Sequence, residues 1–215
     1  VCSLRPHEDK FTFSAVFEMD EDAKVHKEWF GRTVIHSDRR FTYEEAQERI
    51  ETKQGDLTEE ILQLDKLAKI MRNERIRNGA ITFDRSEVRF NLDDESNPIG
   101  VYFKVSKDSN HLIEEFMLLA NKKVSEFISL NKRKEPTGNT FIYRIHDDPD
   151  PAKLKSLQEF VFSFGYKMDL ANTKKVAESL NRLLSDVKGK GEENMIETLA
   201  MRSMSKAVYS TDPIG

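Results

Sequence analysis

The sequence predicts an α+β fold, a mixed sheet with its hairpins in the first half of the chain and several helices packed against it. Three observations predict it. Residues 11–19 and 88–105 alternate apolar and polar side chains with a period of two, as half-buried strands do. Residues 57–79 and 106–131 carry apolar side chains at helical spacing. Strand-like and helix-like stretches are interspersed, with mostly helices in the second half and no internal repeat.

Phe11, Phe13, Ala15, Phe17 and Met19 give the first strand one apolar face, and Val25 to Ile35 returns as the second strand. Asp20, Glu21 and Asp22 between them read as a solvated hairpin tip. Thr42 and Glu45 fit a capping box that opens a helix through about Lys53. Asp56-Leu57-Thr58-Glu59 is an acidic start for a longer helix; Ile61, Leu64, Leu67, Ala68 and Met71 keep its period until Gly79 stops it. Its basic end, Arg72 to Arg77, complements the helix dipole, with a phosphate track as the alternative. Ala80 to Phe83 is expected as a short strand. Val88 to Leu92 and Ile99 to Val105 are expected as a hairpin around a polar loop.

The longest helix is expected over Ser106 to Asn131. Leu112, Ile113, Phe116, Leu119, Ala120, Val124, Phe127 and Ile128 form its apolar stripe, with Glu115, Lys122 and Glu126 on the opposite, solvated side. Glu114 and Asn121 join Asn110 and Ser125 in a polar strip at the edge of the stripe. A carboxylate beside a core stripe must find partners or serve a ligand, which makes Glu114 a site candidate. Beyond a loop at 132–139, Phe141 to Ile145 is a short strand. Asp150-Pro151 starts a helix that ends at Gly165. Thr173 caps a helix to about Asp186, residues 188–191 form a flexible connector, and Glu192 to about Val208 is the last helix.

A chain of 215 residues is long enough for one large domain or two small ones. At 38% hydrophobic it is too apolar to be disordered, and a net charge of −4 excludes a surface basic all over while leaving room for a local basic groove. The lone cysteine, Cys2, cannot close an internal disulfide, so a reducing, cytoplasmic setting is the expectation. No apolar run approaches the ~20 residues of a membrane span, and residues 1–20 lack the pattern of a signal peptide. The first residue is not Met and the last residues, Asp212 to Gly215, form no polar tail. A monomeric piece of a longer protein, without membrane contact, is therefore expected.

Five histidines are scattered along the chain, and only His111-x-x-Glu114 has ligand-like helical spacing; without a second pair no closed metal site is expected. Asp147, Asp148 and Asp150 look like a cluster for magnesium, but their place before Pro151 makes helix capping the stronger account. There is no phosphate loop, GxGxxG or GxSxG, and Cys2 has no evident histidine partner. Tyr43 and Phe83 can stack on bases if they emerge near a groove, although such residues more often sit in a core. Pattern alone does not reach an activity.

Six phrases in order do. They are Val1-Cys2-Ser3-Leu4-Arg5-Pro6, Arg40-Phe41-Thr42-Tyr43-Glu44-Glu45-Ala46-Gln47, Asn78-Gly79-Ala80-Ile81-Thr82-Phe83, His111 through Asn121, Tyr143-Arg144-Ile145-His146 and Leu199 through Tyr209. Together they resemble the catalytic RNB domain of the ribonuclease II/ribonuclease R family, in the form found in bacterial ribonuclease R. The resemblance implies an exoribonuclease that processively degrades single-stranded RNA from its 3′ end to nucleoside monophosphates. It implies magnesium held by an aspartate cluster that would precede Val1, and a catalytic arginine that would follow Gly215. The 215 residues are then an internal segment of one such domain, without metal ligands or catalytic residues, forming RNA-channel wall and 3′-end pocket. Residue by residue, Glu114 and Tyr43 match an acid and a tyrosine that bear on the terminal nucleotide and on the choice of RNA over DNA. Phe83 matches an aromatic that closes one end of the base stack, and Asn121 remains a candidate hydrogen-bond partner at the site's edge. The alternative is a non-catalytic RNA-binding or scaffolding module with a degenerate RNB domain.

Overall fold

A computed structural model describes residues 3–83, 87–131 and 133–212. The chain divides into two compact units, Val1–Asn73 with Asp84–Leu130, and Glu74–Phe83 with Asn131–Gly215. The α+β class holds. Among the described residues the strands form three separate antiparallel pairs rather than one mixed sheet. The cause lies partly in the connections: short turns join the first four strands as hairpins, and a parallel pairing would need a long crossover.

In the first unit, β1 (Asp9–Met19) pairs with β2 (Val25–His36), Phe11 opposite Val34 and Ala15 opposite Phe30. Asp20 ties the turn between them, its Oδ1 accepting from the backbone N–H groups of Asp22 and Lys24. The expected apolar face of β1 is covered only in part: Ala15, Phe17 and Met19 are half-buried, whereas Phe11 is 93% and Phe13 72% exposed. Its covered end meets α3 (Asp108–Ser129), where the rings of Phe30 and Phe127 lie 4.9 Å apart and Lys123 reaches Glu28 at 3.1 Å. On the opposite face the hydroxyls of Thr12 and Ser14 each lie 2.6 Å from that of Thr33. A second hairpin, β3 (Glu87–Leu92) with β4 (Pro98–Lys104), sets Phe90 opposite Val101.

Helix α1 (Tyr43–Thr52) opens with the predicted capping box. Glu45 N–H donates to the Thr42 hydroxyl and Thr42 N–H to the Glu45 carboxylate. Helix α2 (Thr58–Arg77) stops where the sequence expects, in a Schellman motif: Gly79 N–H donates to the Ile76 carbonyl and Ala80 N–H to that of Arg75, with Gly79 at φ +100°.

The second unit is organised around an apolar core from α4 (Pro151–Phe162), α5 (Thr173–Val187) and α6 (Glu193–Ser203). Val161, Leu180, Val187, Ile196 and Ala200 are completely buried. Three expectations are corrected here. Residues 80–83 form no strand; Asn181 of α5 brackets them instead, its Oδ1 accepting from Thr82 N–H and its Nδ2 donating to the Ala80 carbonyl. The cap of α5 is Asn172, one residue before Thr173, and it accepts from Lys175 N–H at 2.9 Å. The last helix ends at Ser203, because the following residues return as β6 (Val208–Ser210) against β5 (Tyr143–Ile145).

Candidate functional site

Three helices of the first unit meet at the predicted site. The start of α3 docks on α1: Ser109 N–H donates to the buried Gln47 side chain at 3.0 Å, and Lys107 Nζ lies 3.4 Å from Glu51. Helix α2 contributes a buried face of Ile61, Asp65 and Ala68, which continues to the mostly buried side chain of Arg72. Lys69 beside it joins Asp65 (2.8 Å) to Asp108 at the start of α3 (2.7 Å). Burial works against the Lys69 ammonium, but the hydrogen bonds to Asp108 and Asp65 outweigh it and raise its pKa.

One turn further along α2, Arg72 Nη1 lies 3.6 Å from Glu114 Oε2 and 3.7 Å from Glu115 Oε1. The two acids differ sharply: Glu115 is 3% exposed, while the Glu114 side chain keeps 45% of its surface. This corrects the expectation that Glu115 is an ordinary surface charge. The buried face of α3 is rotated from the apolar stripe, so that Ser109, Leu112 and Glu115 are buried while Ile113 and Phe127 are exposed. The charge of Arg72 makes this rotation affordable, because a buried carboxylate without a countercharge would be costly. His111 Nδ1 approaches Glu114 Oε2 at 3.4 Å, the i,i+3 pair that the spacing suggested.

Tyr43 is the first residue of α1 and is exposed, with Lys104 Nζ 5.4 Å from its ring centroid. Its position follows from the cap below it and from a clamp in which Arg39 binds Glu45 and Asp56 while Arg49 binds Asp56. Both arginines also lie over the Phe41 ring. The Thr42 N–H bond and Arg39 lower the Glu45 pKa, and Arg49 lowers that of Asp56. Asn121 is exposed on α3, seven residues after Glu114 and so on the same side of the helix.

Phe83 belongs to the second unit. It is half-buried and packs with Ile81 against the core there, held by the Asn181 bracket. The structure thus brings the elements of Tyr43, Glu114 and Asn121 into one helical cluster and places Phe83 in the other unit. Sequence reasoning read Arg72 only as part of a basic helix end, missing its pairing with Glu114 and Glu115, and missed Lys104 altogether. For Arg72 a signal existed: it follows Ile61, Asp65 and Ala68 at helical spacing, so a buried acid and a base share one stripe. Lys104 carries no such mark.

Among the described residues no three His, Cys, Asp or Glu side chains cluster around a metal-sized space. Asp150 is engaged as the N-cap of α4, accepting from the N–H groups of Ala152 (3.0 Å) and Lys153 (3.3 Å). Asp20 is likewise engaged by its turn and by His26 at 2.8 Å. Val1 and Cys2 lie outside the described residues. None of the described helices is long and apolar enough to cross a membrane.

The sequence model of the RNB domain matches residues 1–215. The human protein named exosome complex exonuclease RRP44 is 35% identical over 97% of this chain, which covers 22% of that protein. Ribonuclease R of Aquifex aeolicus (strain VF5) is 30% identical over 100% of this chain and 30% of its own length. Solved structures share the fold, among them the following two. Mycoplasma genitalium RNase R in complex with ribose methylated single-stranded RNA superposes with a TM-score of 0.80 at 23% identity, over 99% of this chain and 33% of that one. Yeast Ssd1, a pseudonuclease, gives 0.68 at 19% identity, over 97% and 25%. The chain therefore spans less than a third of the length of these curated relatives.

Proposed function

The chain belongs to the RNB domain family, and from that premise we propose that it is part of a processive 3′→5′ exoribonuclease acting on single-stranded RNA. The observation that carries this reading is the match of the family over residues 1–215, with relatives named as an exonuclease and as ribonuclease R at 30–35% identity. The RNase R structure with bound single-stranded RNA supports the substrate class. The parent protein is proposed to act in the cytoplasm as a monomer.

Within this reading, the first unit supplies the contact to the RNA 3′ end. Glu114 keeps a half-exposed carboxylate on a helix whose other side is anchored, and such a group can accept a hydrogen bond from a ribose 2′-hydroxyl, which DNA lacks. Tyr43 offers an exposed ring beside a lysine, a surface for the terminal nucleotide. Asn121, on the same side of α3 as Glu114, supplies a further polar contact. Phe83 is proposed as an end stop for the base stack, a sequence-tolerant contact. Its half-buried ring on the core of the second unit gives it a rigid base for that role.

Magnesium belongs to the proposed activity of the parent, but its ligands are proposed to lie outside these residues, since no carboxylate cluster fits it among those described. The isolated 215 residues are accordingly expected to be inactive. Robust magnesium-dependent release of nucleotides from single-stranded RNA by the pure fragment would refute this. The second reading, a non-catalytic RNA-binding module, is favoured by the fold shared with the pseudonuclease Ssd1. The deciding experiment is a degradation assay of the full-length protein on 3′-ended single-stranded RNA with magnesium. Progressive shortening from the 3′ end supports the nuclease. Tight binding without shortening supports the module.

A further inference from the structure

We propose that Arg72 is a positioning residue: its guanidinium, anchored on the buried Glu115 carboxylate, fixes the neighbouring Glu114 carboxylate for the RNA 3′ end. The inference rests on the reading of Glu114 given above and adds to it a residue from another helix.

Arg72 stands nearly midway between the two acids, 3.6 Å from Glu114 Oε2 and 3.7 Å from Glu115 Oε1. If it served only to neutralise the buried acid, there would be no need for it to reach the half-exposed one as well. Its own side chain is 15% exposed, so the stem is packed and the guanidinium has little room to swing. Glu115, at 3% exposure, is the fixed end of the bridge and Glu114 the presented end. His111, one turn earlier on α3, approaches the same Glu114 oxygen at 3.4 Å. Protein groups from two helices therefore set the orientation of that carboxylate. A preset acceptor loses less freedom when it binds a hydroxyl, and specificity grows with how firmly the acceptor is held. Both ion-pair contacts come from the one nitrogen Nη1, so what fixes them is where the packed arginine stem puts that nitrogen, and an ammonium on a more flexible stem would hold Glu114 less firmly.

The test is the binding preference of the full-length protein for an oligoribonucleotide ending in ribose over the same oligonucleotide ending in 2′-deoxyribose, measured without divalent metal so that no turnover occurs. Glu114→Ala should abolish the preference. The pair Arg72→Met with Glu115→Gln, which removes the countercharge together with the buried charge it serves, should lower the preference about tenfold. Affinity for the deoxy-ended strand and the melting temperature should stay near wild type. Adding that pair to Glu114→Ala should change the preference little further, since both act through one carboxylate. Arg72→Lys, the variant that keeps the charge, should lower the preference severalfold, and it decides the matter if the pair fails to fold. If Glu114→Ala removes the preference while Arg72→Lys and a folded pair keep it in full, the positioning role is wrong and the reading of Glu114 stands. If Glu114→Ala itself leaves the preference intact, that reading fails and takes the positioning role with it.

Discussion

Glu114 and Glu115 are adjacent, chemically identical side chains, and the structure gives one to solvent and the other to an interior ion pair with Arg72. Helical phase explains the difference, since neighbours on a helix point about 100° apart. At this scale the capping box of α1 offers a clean test. Thr42→Ala removes the hydroxyl that accepts from Glu45 N–H and should cost about 1 kcal/mol in urea unfolding of the full-length protein. Tyr43 is the next residue, so the same variant should also weaken binding of RNA relative to a control substitution remote from α1. Tyr43→Ala should erode discrimination against a 3′-terminal deoxynucleotide, as Glu114→Ala does. Wild-type selectivity in both variants would remove the proposed roles.

Elements show how side chains substitute for missing backbone partners. Residues 80–83 carry strand-like composition, yet no neighbouring strand pairs with them among the described residues. Asn181 supplies the acceptor and the donor that a ladder would have given, at 3.1 Å and 2.8 Å. Asn181→Leu should leave the Thr82 N–H and the Ala80 carbonyl without those partners, at a cost of about 1–3 kcal/mol. Hydrogen exchange at Thr82 should accelerate while exchange in α4 changes less. Phe83 rides on this segment, so the variant also tests whether its placement matters for RNA binding. The β1–β2 hairpin teaches the converse. Its period-two pattern located both strands, but Phe11 and Phe13 stay exposed because α3 covers only the far end of that face.

For the whole molecule, the acids around α1 contribute to the response to pH. Asp56 is lowered chiefly by Arg49, and Glu45 by the Thr42 N–H and then Arg39. A carboxyl with a lowered folded pKa contributes stability that is present above its unfolded value and lost as pH falls through the folded one. The melting temperature should therefore drop as pH falls through the carboxylate range, and Asp56→Asn should flatten that drop; an unchanged profile in the variant would show the clamp to be inert. Lys69 acts at the opposite limit, because its pKa is raised: its contribution is present below the ordinary lysine value and lost as pH rises through the folded one. The apolar core of the second unit is independent of this. Leu180→Ala, at a completely buried site, should cost about 2–5 kcal/mol in denaturant unfolding.

By itself the sequence determined the α+β class, both early hairpins, the capping box at Thr42, the stop at Gly79 and, through six ordered phrases, the family. These are local or cumulative signals: period, caps and turns depend on residues a few positions apart, and the family on phrases summed along the chain. Tertiary structure decided which charges go inside. That Glu115 is buried, that Arg72 spans two acids and that Asn181 replaces a strand all depend on residues from about 40 to 100 positions apart in sequence. The physical reason is that a charged side chain enters the interior only where a partner waits, and a helical pattern shows the phase of a side chain but not what stands opposite it.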